Sequence, residues 1–274
     1  MQLIESYSIR GIREPIRRYA FGERLVDLWS PPESDHLLVT HDGQNIFDRR
    51  RATHGFTWRI AQVARKTFPK RGHSLPTVVA VFHSGSRKNP NGRTFDLSPE
   101  HFFREGMRPA QHIPQGISLE NLNGDKYLDQ IFDEIIPALI GDVERFSHAN
   151  RALLGSSMGG LSTLYEVGRR PDRYGMAFAF SPHWTLVGDE LVEKTISVLP
   201  APGRHKVWMS RGTRKLDGQY EPHQNLADKM MRRKGWPSTH FRSKVYEGAS
   251  HNERAWSRQI GDGFEFWLDQ TETF

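Results

Sequence analysis

A serine with a glycine two positions to either side is the feature of this chain best suited to covalent chemistry. In Leu153-Leu154-Gly155-Ser156-Ser157-Met158-Gly159-Gly160-Leu161, Gly155 and Gly159 frame Ser157 in the pattern G-x-S-x-G. Ser156 does not fit, because Leu154 and Met158 stand at its flanking positions. A hydroxyl becomes a useful nucleophile only when it is raised clear of the backbone and set beside a base. The strand-to-helix turn that raises it is so tight that side chains two residues either way would clash, hence the glycines. The bend also sets the hydroxyl at a helix N-terminus, where backbone N–H groups favour developing negative charge. The bare pattern arises by chance in about one protein of this length in ten, so context decides. Here an apolar strand pattern ends at Leu154 and a helical pattern opens at Met158. The plain alternative is a glycine-rich turn of packing interest alone.

Such a serine needs a general base and, as a rule, a carboxylate to orient that base, in the chain order Ser, Asp/Glu, His. The sequence has 13 histidines, so position must choose among them. His205 and His240 open strand patterns, and His223 begins a helix pattern. His251 sits in a loop, Glu247-Gly248-Ala249-Ser250-His251-Asn252-Glu253, directly after the last expected strand. It is the candidate base. The acid should follow the strand ending near Met209, where the loop at 211–221 offers Asp217 and Glu221. Asp217 lies nearer the strand end and is followed by a glycine that permits a turn. Glu221 fits equally a helix start favoured by the macrodipole, and a Ser–His dyad without a carboxylate is the third possibility.

The elements that would carry these residues alternate along the chain. Residues 3–29 read as two or three antiparallel strands, with Arg24-Leu25-Val26-Asp27-Leu28-Trp29 alternating in polarity. Buried strands are expected at 36–40, 77–82, 151–154, 176–180, 206–210 and 241–246, and helices at 58–68, 126–140, 158–169, 222–234 and 255–267. Repeated strand–helix units imply a mainly parallel sheet with helices on both faces, preceded by the antiparallel strands, and a site at the carboxyl ends of the strands. One α/β domain over 1–274 suffices. A long polar excursion at 83–123, rich in Gly, Pro, Arg and Asn, is expected to form a lid or rim.

Composition narrows the function classes. Hydrophobic residues at 36% and charged residues at 26% are those of a soluble globular protein. No apolar run approaches the roughly 20 residues of a membrane span, and the N-terminus lacks the form of a secretory signal. A cytoplasmic location and no membrane partner are therefore expected. The absence of cysteine excludes a thiol nucleophile and Cys-based metal centres. No HExxH or EF-hand motif points to a metal, and no cofactor is expected. The net charge of +6 comes in short clusters such as Arg49-Arg50-Arg51 and Arg232-Arg233-Lys234. These read as a solvated surface or as one that draws in an anionic substrate. None sits in a nucleic-acid-binding module.

A tetrahedral oxyanion needs two backbone donors. Met158, next to the nucleophile, supplies one by the geometry of the bend; the other belongs to the loop at 41–48 after an early strand. Four separated segments, in order, resemble the putative-esterase family of α/β-hydrolases. They are Thr40-His41-Asp42-Gly43-Gln44-Asn45-Ile46-Phe47-Asp48, the Ser157 motif, Phe180-Ser181-Pro182 with Trp184, and the His251 loop with Trp256. Gly124-Asp125-Lys126-Tyr127-Leu128 is similar to the start of the helix before the nucleophile strand in that group. The resemblance covers residues from about 15 to the C-terminus. It implies an α/β-hydrolase fold, Ser157 and His251 as nucleophile and base, and Gln44 and Met158 as oxyanion donors. The family includes enterochelin, feruloyl and acetyl-xylan esterases, esterase D and mycolyltransferases. Lys215 stands where many relatives carry their acid, and Arg93-Thr94-Phe95-Asp96-Leu97-Ser98-Pro99 departs from the trilactone-type segment.

The expected activity is hydrolysis of a small-molecule carboxylic ester through an acyl-enzyme on Ser157. The substrate classes are an acylated carbohydrate, a phenolic ester and a siderophore lactone. Acyl transfer by the same triad and a non-catalytic binding role are the alternatives. Asp42, Trp58, His183 and Trp184, with His41, are candidates to line the pocket, each equally explained by packing or loop fixing; Asp42 could hold its own loop by Asx-type bonds.

Overall fold

The computed structural model describes residues 1–110 and 119–269. Among the described residues, nine strands form one sheet: β1 (Gln2–Tyr7), β2 (Ile16–Phe21), β3 (Arg24–Trp29), β4 (Leu37–Thr40), β5 (Thr77–Val81), β6 (Arg151–Ser156), β7 (Met176–Phe180), β8 (Lys206–Arg214) and β9 (Phe241–Ser250). Their spatial order is β1-β2-β3-β5-β4-β6-β7-β8-β9. The first three strands and their junction with β5 are antiparallel; from β5 to β9 every pairing is parallel.

The helices are α1 (Ile60–Thr67), α2 (Gly92–Leu97), α3 (Glu100–Arg104), α4 (Gly124–Asp129), α5 (Ile136–Ile140), α6 (Met158–Arg169), α7 (Asp189–Val198), α8 (Leu216–Gln219), α9 (Glu221–Arg233) and α10 (Glu253–Leu268). A π-helical stretch, Gln130–Ile135, joins α4 to α5. Neighbouring residues of a strand face opposite ways, so Val39, Val79 and Leu153 enter one core while Leu38, Val78 and Ala152 enter the other. Leu128 of α4, Leu161 of α6, Val192 of α7 and Ala227 of α9 close over the first core. Ile60 of α1 and Ile260, Phe264 and Trp267 of α10 close over the second. With both faces covered, the parallel strands read as continuous apolar runs.

The departures from the sequence reading have local causes. The ladder between β8 and β9 runs on past Ser210 to Arg214, with an irregularity between Gly212 and Arg214. Residues 247–250, expected in a loop, therefore extend β9 and deliver His251 directly from a strand end. Helix α7 was not foreseen between 181 and 205; its apolar Leu191, Val192 and Ile196 are buried between polar residues at helical spacing. The excursion at 83–123 contains α2, α3 and a 3-10 turn at Leu119–Asn121. Its residues 111–118 lie outside the described part. No helix of the described residues is long and apolar enough to cross a membrane.

Candidate active site

Register brings the chemistry-bearing residues to one end of the sheet. Thr40 pairs with Leu154, Ser156 with Phe180, and Phe180 with Ser210, so the residues that follow emerge side by side at the carboxyl ends. Ser157 leaves β6 with φ 56° and ψ −123°, outside the ordinary regions for an L-residue. It is held there from both sides: its N–H donates to the Phe180 carbonyl at 2.9 Å, and its own carbonyl accepts from Leu161 N at 3.1 Å and His183 N at 3.2 Å. Backbone strain maintained by surrounding bonds is a mark of functional sites.

The two glycines of the motif act differently. A Cβ on Gly155 would stand 2.2 Å from the backbone carbon and oxygen of Gly159, so strand and helix touch main chain to main chain. A Cβ on Gly159 would meet the His41 Cβ at 3.2 Å and Asp42 Oδ2 at 3.4 Å, which presses the 41–48 turn against the bend. Gly155→Ala should therefore destabilise the fold by about 3 kcal/mol or more. Gly261→Ala, inside α10 with the nearest atom of another element 3.7 Å away, should be neutral or gain up to about 1 kcal/mol. Thermal melts of the two variants test the contrast; equal stability would contradict it.

The candidate base and the candidate acid meet. His251, half-buried, places Nδ1 2.6 Å from Asp217 Oδ1. Asp217 is completely buried, and its other oxygen accepts from Gly212 N at 2.7 Å and Ser181 Oγ at 3.0 Å. Three hydrogen bonds thus fix the position of this carboxylate. Ser181 is itself fixed by Trp256, whose Nε1 donates to its Oγ at 3.0 Å. The Trp256 ring stands edge-on to His251 with centroids 4.9 Å apart. Glu221 lies at the start of α9, exposed, in an ion pair with Arg211 at 3.2 Å.

Tyr220, one residue before Glu221, was not foreseen. Its ring is edge-on to His251 at 5.6 Å, and its hydroxyl lies 2.6 Å from His183 Nδ1. Thr185 and Ser157 lie near the same phenol. Burial, then the Asp217 charge, push that phenol far up, so it stays protonated. Tyr220 thus packs against the candidate base and lies near the candidate nucleophile. Only its nearness to Asp217 in the chain could have pointed to it.

Gln44 lies in a 3-10 turn, Gly43–Asn45, that follows Asp42 in the left-handed conformation at φ 51°. A Cβ at Gly43 would fall 2.5 Å from the Ala80 carbonyl oxygen, so the turn rests directly on β5. Asn45 Nδ2 donates to Glu253 Oε1 at 3.2 Å, tying this turn to the start of α10, two residues beyond His251. Met158 opens α6.

The remaining candidates have defined surroundings. Asp42 is gripped by Arg93 through two bonds of 2.7 Å each. Burial alone would raise its carboxyl, but the guanidinium outweighs burial and holds it at about 2. Burial takes His41 down to about 4, leaving a neutral ring whose Nδ1 lies 2.9 Å from the Tyr127 hydroxyl. Trp58 is buried, stacked on Trp256 at 5.7 Å and edge-on to Phe180 at 5.1 Å. Trp184 is fully buried and donates to Gln224 Oε1 at 2.9 Å. His183 is half-buried and is the one of these that reaches the Ser157–Tyr220 group. A cleft of about 820 Å³ opens beside Gln44, walled by Arg24, Arg51, His83, Lys88 and Lys126 among others.

A mainly parallel sheet between helix layers, with a serine on the bend between its strand and helix, defines an α/β-hydrolase. The profile of the family described as Putative esterase matches residues 118–266, just over half of the chain. The chain belongs to that family and is a carboxylic ester hydrolase. The match spans Ser157, Asp217 and His251, and leaves Gln44 outside. No curated protein matches the chain by sequence. Among solved structures it is similar to the siderophore hydrolase EstA from Aspergillus nidulans, with a TM-score of 0.61 and 18% identity over 92% of this chain and 94% of that one. It is similar also to the BES protein from Bacillus cereus, with a TM-score of 0.63 and 16% identity over 96% and 99% of the two chains. A ferulic acid esterase gives a TM-score of 0.57 and 13% identity over 98% and 99%.

Proposed function

We propose that the chain hydrolyses its ester through an acyl-enzyme on Ser157, with His251 as general base and Asp217 as the orienting acid. The observation that carries this reading is the 2.6 Å contact between His251 Nδ1 and a fully buried Asp217. Asp217 accepts the Nδ1 proton in a hydrogen bond, which leaves Nε2 as the basic nitrogen. His251 takes the Ser157 proton as the oxygen attacks the ester carbonyl. The N–H groups of Met158 and Gln44 hold the oxyanion. Collapse expels the alcohol, which receives its proton from His251, and water repeats the sequence to release the acid.

The cleft beside Gln44 favours an ester with an anionic remote portion. Arg51, Lys88 and Lys126 in its wall are exposed, and Glu23 is the acidic residue among them. Focused positive charge in a concave site concentrates anions. A phenolic ester or a siderophore lactone satisfies this better than a neutral acylated sugar, and the similar structures include a siderophore hydrolase and a ferulic acid esterase. We read residues 1–274 as one domain built on the single sheet, with the segment around 83–123 as its rim.

Two experiments test the reading. A fluorophosphonate should inactivate one site per chain and leave its adduct on the tryptic peptide of Ser157; labelling elsewhere overturns the assignment. Asp217→Asn should lower kcat by about 10³–10⁴-fold, whereas Glu221→Gln, at an exposed pair, should stay within about threefold of wild type. The opposite order would transfer the acid's role to Glu221.

A further inference from the structure

The other end of the sheet, where the parallel strands begin, carries a second group of reactive side chains that ester hydrolysis does not use. His36 immediately precedes β4, and His73 lies in the turn before β5. Asp35, His36 and His73 each offer one ligand atom, and these atoms lie within 4.8 Å of one another. His36 Nδ1 is 2.7 Å from Asp35 Oδ1. The two imidazoles meet edge to face with centroids 5.1 Å apart.

The turns that bear these residues are fastened together. Ser74 Oγ accepts from Asp35 N at 3.2 Å and donates to the Asp35 carboxylate. The His36 carbonyl accepts from Thr77 N at 2.8 Å and from Ser34 Oγ at 2.9 Å. Asn150 Nδ2 donates to the Asp35 carbonyl at 3.0 Å. Phe68 and Trp267 hold the His36 ring edge-on at 5.4 and 5.0 Å. Bonds of this kind orient ligands before a metal arrives. A cleft of about 590 Å³ that both histidines line provides the entry path.

Two imidazoles and a carboxylate form a donor set suited to borderline first-row cations, and to zinc among them. We propose that Asp35, His36 and His73 form a binding site for a divalent transition-metal ion, with water as the fourth ligand. Ligand atoms around a tetrahedral zinc stand about 3.3 Å apart, so His73, half-buried on its turn, closes by roughly 1.5 Å. The proton that His36 Nδ1 now gives to Asp35 moves to Nε2, which frees the Nδ1 lone pair without changing the ring's charge. Bound here, the ion clips the turn before β4 to the turn before β5, so its effect falls on stability and not on turnover. No local motif announces the site, because its two turns are far apart in sequence.

Calorimetric titration of the chelator-treated full chain with zinc sulfate tests this. One ion per chain should bind, and a hundredfold excess over Kd should raise the melting temperature by about 4 °C. Asp35→Asn and His73→Ala should each weaken binding at least tenfold. His240→Ala, which changes a ring of the same cleft outside the cluster, should leave binding unchanged. All three variants should keep the wild-type esterase rate, so loss of zinc binding is separable from any failure of the catalytic reading. Absence of saturable binding, or wild-type affinity in both Asp35→Asn and His73→Ala, overturns the proposal.

Discussion

Ser157→Ala should lower kcat on p-nitrophenyl acetate by about 10⁴- to 10⁶-fold, with a melting temperature within about 2 °C of wild type. The second half of that expectation rests on how the bend is held. The bonds fixing residue 157 run from its N–H to Phe180 and from Leu161 and His183 to its carbonyl, so they survive removal of the hydroxyl. The variant isolates the oxygen from the scaffold that presents it. Ser156, its neighbour in the chain, is buried at the end of β6 and should not substitute. Turnover within tenfold of wild type would assign the chemistry to another nucleophile.

His251→Ala should produce a loss of similar size, about 10⁴–10⁶-fold. Residues that act as one unit are not additive, so the Ser157→Ala/His251→Ala double variant should be no slower than the worse single one. Removing the imidazole leaves a ring-sized space between Trp256 and Tyr220, whose rings flank it at 4.9 and 5.6 Å. Added imidazole should occupy that space and restore part of the rate to His251→Ala but none to Ser157→Ala. A loss below tenfold, or equal rescue of both variants, would contradict the role of His251 as base.

Some of this architecture was legible from residue order alone. Buried parallel strands announce themselves as short apolar runs, and a bend that requires main-chain contact announces itself as glycine at 155 and 159. The choice of His251 followed from its place after the last strand. The choice between Asp217 and Glu221 could not be settled in the same way, because both lie in one loop and the answer depends on where α8 turns. In space the two part: Leu216–Gln219 forms a helical turn that carries Asp217 inward to His251, and Glu221 lands at the exposed start of α9, which favours the proposed assignment. Ser181, Trp256, Asn45 and Tyr220 illustrate the other limit. Each makes its decisive bond to a residue remote in the chain or in the next element. Helix α7 was missed because its polar flanks resemble a loop until the apolar residues are counted at helical spacing.

The contact between Gly155 and Gly159 carries an evolutionary corollary. Where two backbones touch with no side chain between them, neither can shift without the other, and almost no mutational path leads away. The bend is frozen for any descendant that retains the fold. On the proposed reading, preference for one ester over another falls to the basic wall around Arg51, Lys88 and Lys126, where side chains face solvent and can be exchanged one at a time. A library confined to those positions should shift selectivity while leaving the underlying reaction intact.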